Sequence, residues 1–471
     1  MKIEQIYTGC LAQGAYYIVS DNEAFIIDPL REIDPYLTRL KRDNVKLKYV
    51  FETHFHADFV SGHIDLSKAT GADIVFGPMA DPQFKAIIAT DNQEFRVGKL
   101  TIKVLHTPGH TLESSIYLLK DESGNDHCIF TGDTLFLGDV GRPDLAQKAA
   151  HMSQEDLAGL LYDSLNSKVL PLSDDLIVYP AHGAGSACGK NMMKETVDTL
   201  GNQKKMNYAL NQPDKESFIK AVTEGLTLPP AYFPQNVGLN KSGYAPIEEV
   251  LATGLKSLSP TEFHNAIQDD EVIVLDTRTA GDFSRNFIPG AINIGLNGDF
   301  APWVGALIGD VNQALLLVCD DGKESEAVTR LSRIGFDHVL GFLSGGMNAW
   351  IAEKRPVDKI NRISVEKFSE LYTSSSAIVD VRKSSEFDNG HLSDASLKTL
   401  AEINEWTPSI DKNKSFFLHC QGGYRSMIAA SILAARGIRN FMEIEGGFAA
   451  ISKANIPTFV IEATKSCSLN T

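Results

Sequence analysis

Over the first 190 residues, short apolar runs alternate with polar turns, a spacing that predicts strands more often than helices. Residues 16–28 read as two strands around the turn Asp21-Asn22. Further strands are expected at 45–52, 73–76, 95–97, 100–105, 115–119, 128–131 and 176–179, and a helix at 64–70. Many strands with few intervening helices predict two packed sheets with helices outside them. Residues 201–258 break this pattern. The stretch LPPAYFPQNVGLNKSGYAP carries four prolines and scattered aromatics without a clean period. It reads as a connector, packed against a domain because its aromatics would otherwise be exposed.

The remainder repeats itself. VIVLDTRTAGDFSRNFIPGAINI at 272–294 matches AIVDVRKSSEFDNGHLSDASL at 377–397, and LLLVCDDGKESEAVTRLSRIGF at 315–336 matches FFLHCQGGYRSMIAASILAARGI at 416–438. LSGGMNAW at 343–350 matches IEGGFAAI at 444–451. Asp276 and Asp380 are 104 residues apart; Cys319 and Cys420, like Gly345 and Gly446, are 101 apart. Near-constant offsets through three blocks indicate a duplication. Each copy reads strand, helix, strand, loop, helix, which implies a small α/β domain with a mostly parallel sheet. The boundaries expected are 1–200, a connector 201–258, a first copy 259–357 and a second copy 361–463.

Composition narrows the function. The net charge of −16 argues against binding a phosphate backbone, so no nucleic-acid partner is expected. No run approaches ~18 apolar residues, so no membrane span is expected. The N-terminus lacks a basic head with an apolar core, and six cysteines in 471 residues do not form a disulfide framework. Both fit a cytoplasmic protein.

Four segments carry metal-ligand chemistry: Thr53-His54-Phe55-His56-Ala57-Asp58-Phe59, Pro108-Gly109-His110, Gly132-Asp133-Thr134 and Ala181-His182-Gly183. Each follows an expected strand, so imidazoles and carboxylates from four strand ends can converge on one edge, where a cation would offset their crowding. The set resembles the metallo-β-lactamase superfamily over about residues 1–190. The family motif H-x-H-x-D-H ends here in Phe59, which cannot ligate, so a second metal site is expected to be impaired. His63 is expected to start a helix facing solvent. Gly141-Arg142-Pro143-Asp144 resembles a segment of the persulfide dioxygenases, one branch of that superfamily. The resemblance implies one Fe(II) per chain held by His54, His110 and Asp133, with zinc as an alternative occupant in a recombinant sample. His56, Asp58 and His182 would then orient ligands or bound water. Arg142 is expected either to touch substrate or to form a surface ion pair with Asp144.

Cys420-Gln421-Gly422-Gly423-Tyr424-Arg425-Ser426 lies between an apolar strand and a helical run. Such a loop points backbone N–H groups and a helix N-terminus at the sulfur, which favours thiolate and anionic sulfur donors. Together with Asp380-Val381-Arg382 it resembles the active loop of the rhodaneses. Cys420 and Arg425 are expected to be catalytic, and Gly422, Gly423, Tyr424 and Ser426 to contact substrate. The first copy reads Cys319-Asp320-Asp321-Gly322-Lys323-Glu324-Ser325. Its acidic residues raise a thiol pKa and repel anions, so that copy is expected to be structural. Cys10, Cys128, Cys188 and Cys467 have no local signature and receive no role.

The expected fold class is thus α/β multidomain: an αββα metallo-β-lactamase sandwich followed by two rhodanese-like α/β domains. The resemblance implies a persulfide dioxygenase coupled to a sulfurtransferase. Its partners would be a small-molecule thiol persulfide and O2, and a homo-oligomer is expected. The alternatives are a glyoxalase-II-like thiolester hydrolase with a fused rhodanese and a non-oxidative sulfur-relay protein.

Overall fold

The computed structural model describes residues 1–269, 271–454 and 456–459, so Cys467 lies outside the described residues. The chain forms two compact units. The first comprises Met1–Leu251 with the short segments Ile308–Val311 and Thr329–Asp337, and the second comprises the rest.

The first unit holds two six-stranded sheets. One runs in sequence order through β1 (Lys2–Thr8), β2 (Gln13–Ser20), β3 (Glu23–Ile27), β4 (Lys46–Glu52), β5 (Asp73–Phe76) and β6 (Ile87–Ile88). The other contains β7 (Glu94–Val97), β8 (Leu100–His106), β9 (Ser115–Lys120), β10 (Asp126–Gly132), β11 (Ile177–Pro180) and β12 (Asp198–Thr199), again with sequential neighbours. Strand alternation sorts the side chains into layers. Tyr16, Ile18, Phe25 and Ile27 meet Ile102, Val104, Tyr117 and Phe130 in a core between the sheets. Ala15, Tyr17, Ala24 and Ile26 face the other way, onto Tyr36 and Leu40 of the helix Asp34–Asp43 and Leu66 of the helix His63–Thr70. On the outer face of the second sheet, Ile116, Leu118, Ile129 and Val178 pack with Ala158 and Leu161 of the helix Gln154–Ser164 and Phe218 of the helix Lys215–Thr223. The result is the αββα sandwich expected from the sequence.

Residues 201–258 are more regular than their prolines suggested. They contribute the helices Leu200–Met206, Lys215–Thr223 and Phe233–Ser242 to the first unit. Thr199 and Asp214 cap the first two by accepting from the N–H groups of Asn202 and Ser217. Pro234 sits in the first turn of the third, where a missing N–H costs nothing. Phe218 and Val222, four apart, bury one face of their helix in the outer core.

In the second unit the duplication is visible strand for strand. The first copy has β13 (Ser257–Leu258), β14 (Ile273–Asp276), β15 (Ile292–Asn293), β16 (Leu315–Val318) and β17 (Val339–Leu343) in the order β13-β17-β16-β14-β15. The second has β18 (Arg362–Ile363), β19 (Ile378–Asp380), β20 (His391–Leu392), β21 (Ala395–Leu397), β22 (Phe416–His419), β23 (Phe441–Ile444) and β24 (Thr458–Phe459). Its main sheet runs β18-β23-β22-β19-β21, the same order, and both sheets are parallel. Among the described residues, no helix is long and apolar enough to cross a membrane.

Candidate metal centre and sulfur loops

Sheet topology brings the four histidine and aspartate segments together. β10 and β11 are parallel, with Gly132 opposite Pro180, so Asp133 and His182 emerge side by side. β8 and β10 both run antiparallel to β9, so His110 leaves the same edge. β4, in the other sheet, delivers His54. Loop 53–62 is pinned on several sides. Thr53 donates through its N–H and its hydroxyl to Asp28, 2.8 Å each. Asn240 donates to the carbonyls of His56 and Phe59 and accepts from the N–H of Ser61. The Tyr232 hydroxyl donates to the Asp58 carbonyl at 3.3 Å. Two of these clamps come from the stretch read from sequence as a connector.

His54, His110 and Asp133 are all buried and their ligand atoms converge. His110 Nε2 lies 3.4 Å and His54 Nε2 3.9 Å from Asp133 Oδ2. The far ring nitrogens are held by the protein. His110 Nδ1 is 2.9 Å from the Arg142 carbonyl, and His54 Nδ1 is 3.0 Å from the Thr53 hydroxyl oxygen. The carbonyl can only accept, and Thr53 spends its proton on Asp28, so both imidazoles carry the proton on Nδ1 and present an Nε2 lone pair. Glycine is required at 141: a Cβ there would lie 2.0 Å from the Asp133 carbonyl and 3.0 Å from His110 Nδ1. Burial, then His56, His110 and His182, holds His54 well below the ordinary imidazole range. Neither carboxylate oxygen of Asp133 has a hydrogen-bond partner. A buried carboxylate facing two imidazole Nε2 atoms fits a divalent cation.

Asp133 Oδ1 faces a different group. His182 Nε2 is 3.5 Å from it and 3.4 Å from Asp58 Oδ2, and the Cys188 sulfur lies close to both Asp133 and His182. Sequence gave no sign of Cys188, because it reaches the site from the loop after β11. Burial, then Asp58 and Asp133, raises its thiol well above the ordinary range. Phe59 is fully buried and stacks on His56, with ring centroids 4.3 Å apart. His56 converges with Asp58 and His182 in a second buried trio of ligand atoms, and its Nε2 lies 3.1 Å from Asp28 Oδ1 and 3.3 Å from Glu52 Oε2. Burial opposes protonation of that imidazole, but the two carboxylates more than offset it.

Two expectations need correction. His63 starts the helix His63–Thr70 as expected, but it is fully buried, with Nδ1 3.5 Å from Glu52, and burial lowers it to about 3. The helix packs its N-terminus inward, toward the end of β4. Arg142 does pair with Asp144, through two bonds of 2.7 Å, yet the pair is not on the surface. Two more of its five N–H groups go to the carbonyls of Ala187 and Thr227. The guanidinium is thus occupied by the protein, and it is the main-chain carbonyl of Arg142 that serves the site.

In the second unit, Cys420 directly follows β22 and is buried, with Sγ accepting from the N–H of Gly423 at 3.1 Å and lying 3.4 Å from the Ser426 hydroxyl. Gly423 has φ +99°, the left-handed turn that aims its N–H at the sulfur. The helix Tyr424–Ala435 begins there. Arg425 points to Glu386, with bonds of 2.5 and 2.7 Å. The Tyr424 hydroxyl donates to the carbonyl of Gly295 at 2.8 Å, and a Cβ on Gly298 would strike its ring at 2.5 Å. Gly422 sits in the turn with no nearby atoms where a side chain would go. In the first copy, a cavity of about 630 Å³ lies over Cys319 and is lined by Arg278, Asp282, Asp320, Asp321 and Glu324. Burial, with Glu324, Asp276 and Asp320, pushes the Cys319 thiol up to about 12.

A sandwich whose strand ends gather buried histidines and aspartates, followed by two parallel-sheet domains with cysteine loops, defines a class. Residues 8–182 match the metallo-beta-lactamase superfamily, and residues 259–353 and 364–454 each match the rhodanese-like domain. The chain belongs to that superfamily and carries two rhodanese-like domains, in the branch related to ETHE1 and the hydroxyacylglutathione hydrolases. It is 30% identical over 218 residues to the persulfide dioxygenase ETHE1, mitochondrial, of Homo sapiens, covering 45% of this chain and 77% of that one. It is 29% identical over 182 residues to a probable hydroxyacylglutathione hydrolase of Schizosaccharomyces pombe, 38% of this chain and 66%, just under two thirds, of that one. A crystal structure titled as a metallo-beta-lactamase from Staphylococcus aureus subsp. aureus COL superposes with a TM-score of 0.64 at 30% identity, covering 73% of this chain and 98% of that chain.

Proposed function

We propose that this protein is a non-haem Fe(II) persulfide dioxygenase coupled to a sulfurtransferase. It would oxidise low-molecular-weight persulfides to sulfite, thiosulfate or both, as a step of sulfide detoxification. The carrying observation is the division of the buried donors around Asp133. His54, His110 and Asp133 Oδ2 make one two-histidine, one-carboxylate face, and Phe59 stands where the family motif has its last histidine. The human relative's name and the cysteine loop in the same chain support the same reading.

Iron(II), when bound, would supply coordination positions for a persulfide sulfur and O2. The chain's own contribution is orientation. The Arg142 carbonyl and the Asp28–Thr53 pair fix the tautomers of His110 and His54, so both lone pairs face Asp133. In the second unit, Cys420 thiolate would attack the outer sulfur of a persulfide, forming the enzyme S–S bond as the donor S–S bond breaks and the thiolate R–S⁻ leaves. Sulfite would then take that sulfur, giving thiosulfate and returning Cys420 thiolate.

The test is anaerobic loading with Fe(II), metal analysis, and O2 consumption on glutathione persulfide. O2 uptake with sulfite or thiosulfate as product is the expected result. Thiolester cleavage without O2 uptake would instead identify a hydrolase, and neither activity would leave a sulfur relay.

A further inference from the structure

Beneath the Cys420 loop lies a buried chain of polar groups that neither metal chemistry nor the rhodanese resemblance requires. The Ser426 hydroxyl lies 3.4 Å from Cys420 Sγ and 2.7 Å from Glu443 Oε1, and all three side chains are buried. Glu443 Oε2 accepts from Arg362 Nε at 2.8 Å. A hydroxyl has one proton. It can donate to the sulfur or to the carboxylate, but not to both.

We propose that Glu443 is a positioning residue for sulfur transfer: its protonation state sets the direction of the Ser426 hydrogen bond and so whether the Cys420 thiolate is stabilised. This deepens the reading of Cys420 as the sulfur carrier and rests on it. When Glu443 is ionised, its oxygen can only accept, and Ser426 donates to it, leaving the sulfur with the Gly423 N–H alone. When Glu443 is neutral, its O–H donates to Ser426, and the Ser426 proton turns to the thiolate. The two states differ by one proton, taken from solvent onto Glu443, with no covalent change elsewhere.

The surroundings place this switch in the useful pH range. Glu443 faces Arg362 from β18, Glu445 just beyond the end of its own strand, and Ser426 from the helix after the Cys420 loop. Arg362 is itself shared with Glu445, Nη1 to Oε1 3.5 Å, and is not wholly buried. Burial therefore outweighs its pull and lifts Glu443 to about 7. The first copy has no counterpart: the residue 101 positions before Glu443 is Phe342. The network therefore accompanies the loop with Gly423, Tyr424 and Arg425 and is absent beside the acidic loop of Cys319.

Glu443→Gln gives a directional test. Arg362 Nε requires an acceptor, so the amide oxygen faces Arg362 and the NH2 group faces Ser426. Ser426 must then accept from the amide and donate to Cys420 at every pH. In the full chain, iodoacetamide alkylation of the Cys420 peptide is followed by mass spectrometry from pH 5.5 to 9. E443Q is expected to react about twofold faster than the unaltered chain at pH 7, where half of Glu443 is already neutral, and about fivefold faster at pH 8, the hydrogen bond to the thiolate being worth about one pH unit. The gain should vanish in Ser426→Ala combined with E443Q. Ser426→Thr, which keeps the hydroxyl, should retain the unaltered profile, and Ser426→Ala alone should lose any inflection near pH 7. E443Q reacting no faster than the unaltered chain, or a gain that survives in Ser426→Ala, overturns the proposal. If E443Q does not fold, the Ser426→Ala and Ser426→Thr profiles decide alone, and identical profiles overturn it. Sulfur loading of Cys420 from thiosulfate, measured in parallel, reports separately on whether Cys420 carries sulfur at all.

Discussion

Asn240 should be among the most costly single residues to lose in the first unit, although it binds nothing itself. It is buried in the helix Phe233–Ser242 and satisfies three backbone groups of loop 53–62: the His56 carbonyl at 2.8 Å, the Phe59 carbonyl at 2.7 Å and the Ser61 N–H at 2.8 Å. Asn240→Ala removes all three bonds and leaves their partners buried. At ~1 kcal/mol net per bond, and ~1–3 kcal/mol per group left unsatisfied, the loss should be roughly 3–5 kcal/mol. That is near the upper end for a point change. Asn240→Asp keeps the acceptor but removes both donations and sets a carboxylate against two carbonyls, so it should be at least as damaging. Trp303, Trp350 and Trp406 all lie in the second unit, so indole fluorescence reports first on that unit. Urea unfolding followed by far-UV circular dichroism, with tryptophan emission as the control, resolves it. The same loop carries His54 and Asp58, so chelator competition should show weaker metal binding. A destabilisation under ~1 kcal/mol together with unchanged metal affinity would refute the claim that Asn240 holds the metal loop.

Other consequences are equally direct. His110→Ala should abolish metal retention and O2 uptake together, whereas a catalytically required dinuclear zinc centre would contradict the one-iron reading. Cys420→Ser should lose sulfane-sulfur transfer but retain iron, with dioxygenase product shifting from thiosulfate toward sulfite; thiosulfate cyanolysis at the unaltered rate would contradict this. Cys319, raised to about 12 by burial and its acidic neighbours, is a protonated thiol at pH 8 and should resist iodoacetamide under conditions that label Cys420 in the same digest. Glu443 is raised from 4.5 to about 7 on folding, so the stability it contributes is complete below pH 4.5 and is lost as pH rises through 7; tryptophan-detected urea midpoints of the second unit should fall over that window, and E443Q should remove that component.

Much of this was legible in the sequence because it follows local periodicity. Residues 73–76 are the strand Asp73–Phe76, and the paired runs about Asp21-Asn22 are β2 and β3. The four histidine and aspartate segments converge because each follows a strand, and parallel neighbours such as β10 and β11 end on one edge. What escaped is what local pattern cannot encode. Asn240 and Tyr232 sit in a proline-rich stretch whose helices are specified by caps and by Phe218 and Val222 packing, over too few turns to show a period. His63 reads as a helix start in either environment, and only the tertiary position of Glu52 decides that it faces inward. Cys188 and Glu443 carry no motif at all. Each is defined by what it faces.

Comparing the two rhodanese-like copies separates the residues common to both from those that differ around the cysteine. In both, the aspartate ending the second strand of the copy binds the arginine two residues on: Asp276 accepts from Arg278 and Asp380 from Arg382, through main chain and side chain alike. In both, that arginine continues to a carbonyl eight residues ahead, of Asn286 and of Gly390, at 2.8 Å. All four side chains are buried, so removing one would strand an uncompensated charge. These pairs are present whether or not the loop is suited to anions, and so they serve the fold. The differences lie where a donor would arrive: Arg425 is replaced by Glu324 and Gln421-Gly422 by Asp320-Asp321, and Ser426 has Glu443 beneath it while the matching position in the first copy is Phe342. The shared frame brings both cysteines to the same strand end, and the loops then differ in the charge beside the sulfur: Arg425 in the second copy, and Asp320, Asp321 and Glu324 in the first.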